Sequence, residues 1–142
     1  MATTYTAQVS VDGEGRNGGR VRSSDGLLET SLSLPKELGG AGTATNPEQL
    51  LAAGWAACFL GALRRAATLR KIRLTSTSIT AEVTLTHGDD DTFSLSAVLN
   101  PVLGGVDQET AQILAQAAHQ ICPYSKATRD NVPVVINASA AA

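Results

Sequence analysis

An uninterrupted run of apolar and small residues from Leu50 to Leu63 constrains the fold more than any other stretch of the sequence. The first charged residue after it is Arg64. A helix without a polar face must be covered on most of its sides, so we expect this run to form the central buried helix. Fourteen residues are too few to span a bilayer, which requires about twenty. The sequence therefore predicts a core helix.

Signals at both ends mark the limits of this helix. Asn46 suits the N-cap, Pro47 suits the first helical position, and Glu48 places a carboxylate in the first turn, where backbone N–H groups lack partners. Cations complement the carboxyl end of a helix dipole, and four basic residues follow the apolar run: Arg64, Arg65, Arg70 and Lys71. We therefore predict a helix that ends near Lys71.

The composition indicates one globular domain over residues 1–142, with 43% hydrophobic and 17% charged residues. The low charged fraction suggests that a partner subunit covers part of the surface. A net charge of −2 gives no electrostatic footprint for nucleic acid. The first fifteen residues lack the pattern of a secretory signal, so we expect a cytoplasmic protein. In that reducing compartment, any pairing of the two cysteines would belong to a redox cycle.

Strand patterns flank the predicted helix on both sides. Residues 3–11 alternate polar and apolar side chains, and two short strands at 20–23 and 27–34 surround a Ser-Asp-Gly turn, which predicts an N-terminal meander. Residues 77–86 and 93–99 alternate on either side of a polar turn, which predicts a hairpin.

The C-terminal third is predicted to contain a second helix, from Gln108 to Ile121, capped by Asp107 and ended by the Cys122-Pro123 pair. Around it we expect a connection at 101–106, a helical turn at 124–129, a last strand at 132–136 and a frayed alanine tail. Because strands and helices are segregated along the chain, the class is α+β, with helices packed on a mainly antiparallel sheet.

Two cysteines are the first candidates for chemistry. A free cysteine is often only a small buried hydrophobe, and that explanation suits Cys58 on composition alone. Cys122 lies where a helix stops, which predicts a position at the surface or at a cleft edge, so a peroxidatic and resolving pair is conceivable, although spacing does not establish contact. A reactive thiol needs a lowered pKa, which a guanidinium from Arg16 or Arg20 in the glycine-rich loop can provide.

Other chemistries have weaker signals. His119 and Cys122 are three residues apart on one helix and, with Cys58 and His87, are possible metal ligands, yet there is no CxxC pair and no HExxH motif. A Cys–His hydrolase with either histidine as base lacks an orienting third group. A serine hydrolase would need the G-x-S-x-G elbow, which is missing.

Two long motifs resemble the Ohr (organic hydroperoxide resistance) branch of the OsmC/Ohr family: TNPEQLLAAGWAACF around Cys58 and HQICPYSKATRDN around Cys122. The SSDG turn and the PKELGG loop are also similar to that branch, so the resemblance covers nearly the whole chain. It implies an intertwined homodimer of α+β subunits, with active sites at the subunit interface. The implied activity is a thiol-dependent peroxidase acting on alkyl and fatty-acid hydroperoxides.

By motif position, the resemblance implies that Cys58 is the peroxidatic cysteine and Cys122 the resolving one. The cycle would pass through a sulfenic acid and a Cys58–Cys122 disulfide. No cofactor is implied as bound, and the implied reductant is an external dithiol, dihydrolipoamide or a lipoylated protein. An OsmC-type peroxidase of broader range and a noncatalytic redox sensor are the alternatives.

The resemblance also implies a catalytic arginine and a catalytic glutamate. Arg16 and Glu48 match these positions, although a loop one residue longer than usual leaves Arg20 or Arg22 open for the arginine. Glu48 would hold the guanidinium in a bidentate pair. Ten residues of continuous helix place Glu48 about 15 Å from Cys58. If both serve one site, we expect either that Glu48 comes from the partner subunit or that a flexible network of side chains bridges the two groups.

Three residues are candidates for the wall of a substrate pocket: Trp55, Phe59 and Tyr124. Trp55 stands where the resembled branch commonly has tyrosine, which would reshape the wall without touching the chemistry. Apolar walls would accept an alkyl chain, although core packing explains Trp55 and Phe59 equally well.

Overall fold

The computed structural model describes all 142 residues, which form two compact units, Met1–Leu50 and Leu51–Ala142. The boundary falls inside the first long helix, and each unit has its own sheet. The single domain predicted for residues 1–142 stays a prediction.

The first unit contains the predicted meander. Strands β1 (Val9–Asp12), β2 (Arg20–Ser23) and β3 (Glu29–Ser31) form an antiparallel sheet in the order β1-β2-β3. Strand β1 begins at Val9 rather than at residue 3, because the pairing register of β2 stops at Ser23 opposite Val9. Alternation alone therefore overestimated the length of this strand.

Helix α1 spans Pro47–Leu69. Asn46 is its N-cap, since the side-chain oxygen accepts a 2.9 Å hydrogen bond from the backbone N–H of Gln49. The helix ends two residues before the predicted Lys71, which has a positive φ of 56°. The guanidinium of Arg70 donates to the carbonyl of Ala66 at 3.3 Å and so satisfies an unpaired group of the last turn.

Within the apolar run of α1, most sides of the helix are at least partly covered by the chain, and only one narrow face of small residues is exposed. The buried residues are Trp55, Phe59, Ala62, Leu63, Ala66 and Ala67. Ala53, Ala57 and Gly61 form an exposed face of small residues, which we call the bare face. A Cβ added at Gly61 would meet no atom within 4 Å.

With 23 residues, α1 is long and apolar enough to cross a membrane by length and composition alone. Its buried face nevertheless packs in the same core cluster as Leu99 of the sheet and Leu114 of a second helix. A core helix that packs in this way passes the same length test.

The second unit is built on a four-stranded sheet. Strands β4 (Ser76–His87) and β5 (Phe93–Gly104) form the predicted antiparallel hairpin. Strands β6 (Val134–Ile136) and β7 (Ser139–Ala140) pair with β5 in parallel. The long ladder is antiparallel and the two short pairings are parallel.

Two expectations for this sheet are wrong. Residues 101–104 belong to β5 rather than to a connection. Proline cannot donate a backbone hydrogen bond to a neighbouring strand. Pro101 is tolerated in β5 because it lies between the segment that pairs with β6 and the segment that pairs with β7. The tail is not frayed throughout, since Ser139–Ala140 form β7. The Gln108 side chain donates to the carbonyl of Ala138 at 2.8 Å and accepts from the N–H of Ala140 at 3.0 Å.

Helices α2 (Gln108–Ile121) and α3 (Pro123–Thr128) complete the second unit. Asp107 caps α2 as predicted, accepting from the N–H of Thr110 at 2.8 Å. Side chains from α1, α2 and β5 share one core. The class is α+β.

Candidate functional site

The two cysteine sulfurs lie next to each other. Cys58 is in the middle of α1, whereas Cys122 lies between α2 and α3, as the C-cap of the first and the N-cap of the second. The Sγ atoms are 3.1 Å apart and both thiols are free. Cys122 is buried and Cys58 is half-buried. Since a disulfide bond is about 2.05 Å long, a movement of about 1 Å would join them.

The pKa of the Cys58 thiol is raised in this setting. Burial is the main cause, and the neighbouring Cys122 thiol adds to it by hydrogen bonding, while the backbone N–H of Tyr124 opposes it by donating to the sulfur. All of these groups belong to the second unit. The surroundings of Cys58 in this unit therefore hold it as a thiol rather than as the nucleophilic thiolate.

A buried hydrogen bond lies beside the sulfurs. The indole Nε1–H of Trp55 donates to Oγ of Ser125 at 3.4 Å, and neither side chain is exposed. Trp55 precedes Cys58 by three residues, and Ser125 follows Cys122 by three. Sequence reasoning missed Ser125, although its place in the CPYS motif was the available signal.

Of the three predicted pocket residues, only Tyr124 is accessible. Trp55 and Phe59 are buried in the core. Within this chain, both side chains pack in the core and neither lines an open substrate pocket. Tyr124 is 43% exposed and its ring covers Gly54, where an added Cβ would lie 3.1 Å from Cε2. This ring therefore lies against α1 one turn before Cys58.

The first unit holds a bidentate ion pair. Arg16 donates from its two terminal nitrogens to the two carboxylate oxygens of Glu48, at 2.8 and 2.6 Å. The hydrogen bond from Arg16 is the main cause that lowers the pKa of Glu48, and the same bond raises the pKa of Arg16. Arg20 instead pairs with Glu29 in an exposed position, and Arg22 is opposite Glu29 in the β2–β3 register. Arg16 is therefore the arginine bound by Glu48.

Close backbone approaches shape the loop that carries Arg16. A short 3₁₀ turn covers Gly15–Asn17, and the N–H of Gly19 donates to the carbonyl of Gly15 at 2.7 Å. A Cβ at Gly19 would lie 2.3 Å from the carbonyl oxygen of Asp12. Only glycine fits there, so the glycine-rich sequence defines the loop that carries Arg16.

The histidines do not join the cysteines in a metal site. His87 stacks on Phe93 at the exposed hairpin end. The ring of His119 is half-buried with its Nδ1 unpaired, and burial, followed by the charge of Arg129, lowers its pKa. The structure gathers no group of three potential metal-ligating side chains.

A cavity of about 490 Å³ lies away from the thiols, over the outer face of α2. Its lining includes Arg70, Glu109, Gln112 and Ile113. It is thus not an alkyl pocket for Cys58.

Comparison with known proteins places this arrangement in a family. The family model described as "OsmC-like protein" matches residues 40–137. An organic hydroperoxide resistance protein of Xanthomonas axonopodis pv. citri is 45% identical over 134 residues, covering 93% of this chain and 92% of that protein. Organic hydroperoxide resistance protein OhrB of Bacillus subtilis is 44% identical over 131 residues, covering 92% of this chain and 94% of that protein.

Solved structures agree with these relatives. The crystal structure of an organic hydroperoxide resistance protein from Elizabethkingia anophelis superimposes with a TM-score of 0.91 at 41% identity, covering 99% of this chain and 100% of that chain. The chain belongs to the OsmC-like family and, within it, to the organic hydroperoxide resistance branch.

Proposed function

We propose that the protein is a thiol-dependent peroxidase that reduces organic hydroperoxides, alkyl and fatty-acid, to alcohols in the cytoplasm. The observation that carries the proposal is the 3.1 Å separation of the Cys58 and Cys122 sulfurs. Two adjacent free thiols, one of them half-buried, suit an oxidation that ends in a disulfide. The substrate class is taken from the names of the relatives in Xanthomonas and Bacillus.

The proposed cycle has three steps. The Cys58 thiolate attacks the terminal hydroperoxide oxygen, the O–O bond breaks, and the alkoxide leaves as an alcohol after taking a proton, so that sulfur is oxidised to a sulfenic acid. The Cys122 thiol then attacks that sulfur, the S–O bond breaks, and water leaves as the disulfide forms. An external dithiol reduces the disulfide and is itself oxidised to a cyclic disulfide. Dihydrolipoamide, free or on a protein, is the proposed reductant.

Activation of Cys58 requires a positive charge that its own unit does not provide. Its pKa is raised by burial and by Cys122, whereas a nearby guanidinium would favour the thiolate. We assign that role to Arg16, whose orientation Glu48 fixes through two hydrogen bonds. The assignment is supported by the bidentate geometry and by the position of both residues in the branch motifs.

In this proposal, Arg16 and Glu48 act on the Cys58 of a partner subunit in a homodimer. About 15 Å of helix rise separates Glu48 from Cys58 on α1, which disfavours a shared site within one chain. The bare face of α1 also supports a dimer, because an apolar helix face of small residues allows close packing against another copy.

Steady-state turnover tests the activity. Cumene hydroperoxide with dihydrolipoamide should be consumed over many equivalents by the wild type, whereas Cys58→Ser should be inactive. Arg16→Ala should lose activity, while its matched control Arg20→Ala should keep it. Oxidation that stops after one equivalent per chain would contradict the peroxidase and favour a redox sensor.

Mixed dimers test the contribution in trans. If Arg16 serves the partner's thiol, a heterodimer of one Cys58→Ser chain and one Arg16→Ala chain has one intact site and regains about half of the wild-type activity. If Arg16 acts within its own chain, both sites are defective and the heterodimer is inactive. Two different affinity tags allow the heterodimer to be purified away from both homodimers.

A further inference from the structure

The hydrogen bond between Trp55 and Ser125 has no part in the cycle described above. It is buried, and Ser125 is one of only two buried polar side chains, Ser33 being the other. A hydroxyl is tolerated in an apolar core when it has a partner, and here that partner is the indole N–H. An alanine would fill the same position without a polar atom, so packing alone does not explain the serine.

A continuous series of contacts joins this bond to the resolving cysteine. The backbone carbonyl of Cys122 accepts from the N–H of Lys126 at 3.0 Å, which ties Cys122 into α3. Helix α3 has only six residues, too few to be stable without tertiary contacts. The Trp55–Ser125 bond fastens this short helix to α1 one turn from the sulfurs, because both residues are three positions from a cysteine.

We infer that Trp55 and Ser125 are positioning residues that hold Cys122 in line for attack on the oxidised Cys58, through the fastening of α3 to α1. The inference rests on the proposed function. It concerns only the second step, in which the Cys122 thiol gives up its proton, its sulfur bonds to the Cys58 sulfur, the S–O bond breaks and water leaves. In the first step, bonds form and break only at Cys58 and the hydroperoxide, and Cys122 is not a reactant.

Loss of this bond should change how the sulfenic acid is consumed. If Cys122 drifts away, disulfide closure slows and the sulfenic acid persists. A second hydroperoxide molecule then oxidises it to the sulfinic acid, with a second alcohol released. A hydrogen bond of ordinary strength corresponds to a roughly two- to tenfold change in rate.

The test follows each sulfur species after rapid mixing with cumene hydroperoxide, acid quenching, alkylation and mass spectrometry. In Ser125→Ala and Trp55→Phe, disulfide closure should be roughly two- to tenfold slower relative to sulfenic acid formation than in the wild type, and the sulfinic fraction should rise in proportion. The double variant should be no slower than the slower single variant, because both substitutions remove one bond. Ser33→Ala, a buried serine of the first unit, is the matched control and should close at the wild-type rate.

Closure at the wild-type rate in Ser125→Ala, or equal slowing of both steps, would overturn the inference. Ser125→Ala alone decides the matter if Trp55→Phe does not fold. The protein has one tryptophan, so a blue shift of its emission in Ser125→Ala would verify that the bond is lost. A wild type that forms no disulfide would instead contradict the proposed function, which keeps the two failures distinct.

Discussion

The Arg16–Glu48 pair should stabilise the fold measurably, unlike an exposed pair in the same unit. Both hydrogen bonds are charge-assisted, and the side chains of Arg16 and Glu48 are 35% and 14% exposed. Fully exposed pairs contribute between about 0.2 and 1 kcal/mol, and hydrogen bonds to charged groups contribute about 1.5–3 kcal/mol. Partial solvent screening of Arg16 places the expected coupling near the top of the exposed range, at about 1 kcal/mol.

A double-mutant cycle with Arg16→Ala and Glu48→Ala, measured by urea unfolding at pH 7, isolates this coupling. All variants must be compared at one protein concentration, because the stability of the proposed homodimer would depend on concentration. The Arg20–Glu29 pair is the control. Its side chains are 63% and 42% exposed, so no measurable coupling is expected.

The pH dependence gives a second check. Arg16 lowers the pKa of Glu48 from its ordinary value of 4.5. The unfolded chain therefore takes up the proton first as the pH falls, and the coupling should be complete above pH 4.5 and disappear as the pH falls through the lower folded pKa. A coupling no larger than that of the control pair, or one unchanged by acid, would refute the reasoning.

Three further predictions concern the second unit. Gly54→Ala should raise the free energy of unfolding by up to about 1 kcal/mol, because alanine has the higher helix propensity. The added Cβ requires the exposed Tyr124 ring to move by a few tenths of an ångström. A lower free energy of unfolding in urea would show that the ring cannot move. Cys122→Ala should lower the pKa of Cys58, although burial keeps it raised, and thiolate absorbance at varied pH would show no shift if the Cys122 thiol had no effect. Gln108→Ala should speed hydrogen exchange in β7, because it removes the side-chain hydrogen bonds to Ala138 and Ala140 and leaves the pairing with β5; hydrogen exchange as slow as in the wild type would contradict this.

Local signals predicted the elements whose ends are set by neighbouring residues. Asn46 begins α1 and Asp107 begins α2, since each side chain can satisfy backbone N–H groups only a few residues away. The β4–β5 hairpin followed from alternation because its two strands are adjacent in sequence. Each of these features depends on contacts within about thirty residues of sequence.

Long-range pairing was not readable in the same way. Pro101 can lie within β5 because it faces the gap between β6 and β7, and these two strands follow it by more than thirty residues in the sequence. The ordering of the tail depends on Gln108, which gives no local signal of its own. The burial of Trp55 and Phe59 likewise depends on helices and strands distant in sequence.

For the candidate site, the sequence identified residues but not their contacts. The resemblance singled out Cys58 and Cys122, and their contact required the fold. The same applies to Arg16, which sequence left beside Arg20 and Arg22 as an alternative and which the structure pairs with Glu48. The hydrogen-bond partner of Trp55 could not be predicted, because a single buried hydrogen bond between α1 and α3 produces no periodic pattern in the sequence.

The closeness of the two sulfurs has a consequence for the choice of reductant. Held 3.1 Å from Cys58, Cys122 is present at a high effective concentration, as for any pre-oriented intramolecular group. A reductant with one thiol would form a mixed disulfide that Cys122 attacks again and expels, so net reduction would be slow. In the mixed disulfide formed by a dithiol, the second thiol of the reductant is also an intramolecular nucleophile, so it competes with Cys122 for the disulfide bond. This competition is a physical reason for proposing a dithiol as the reductant.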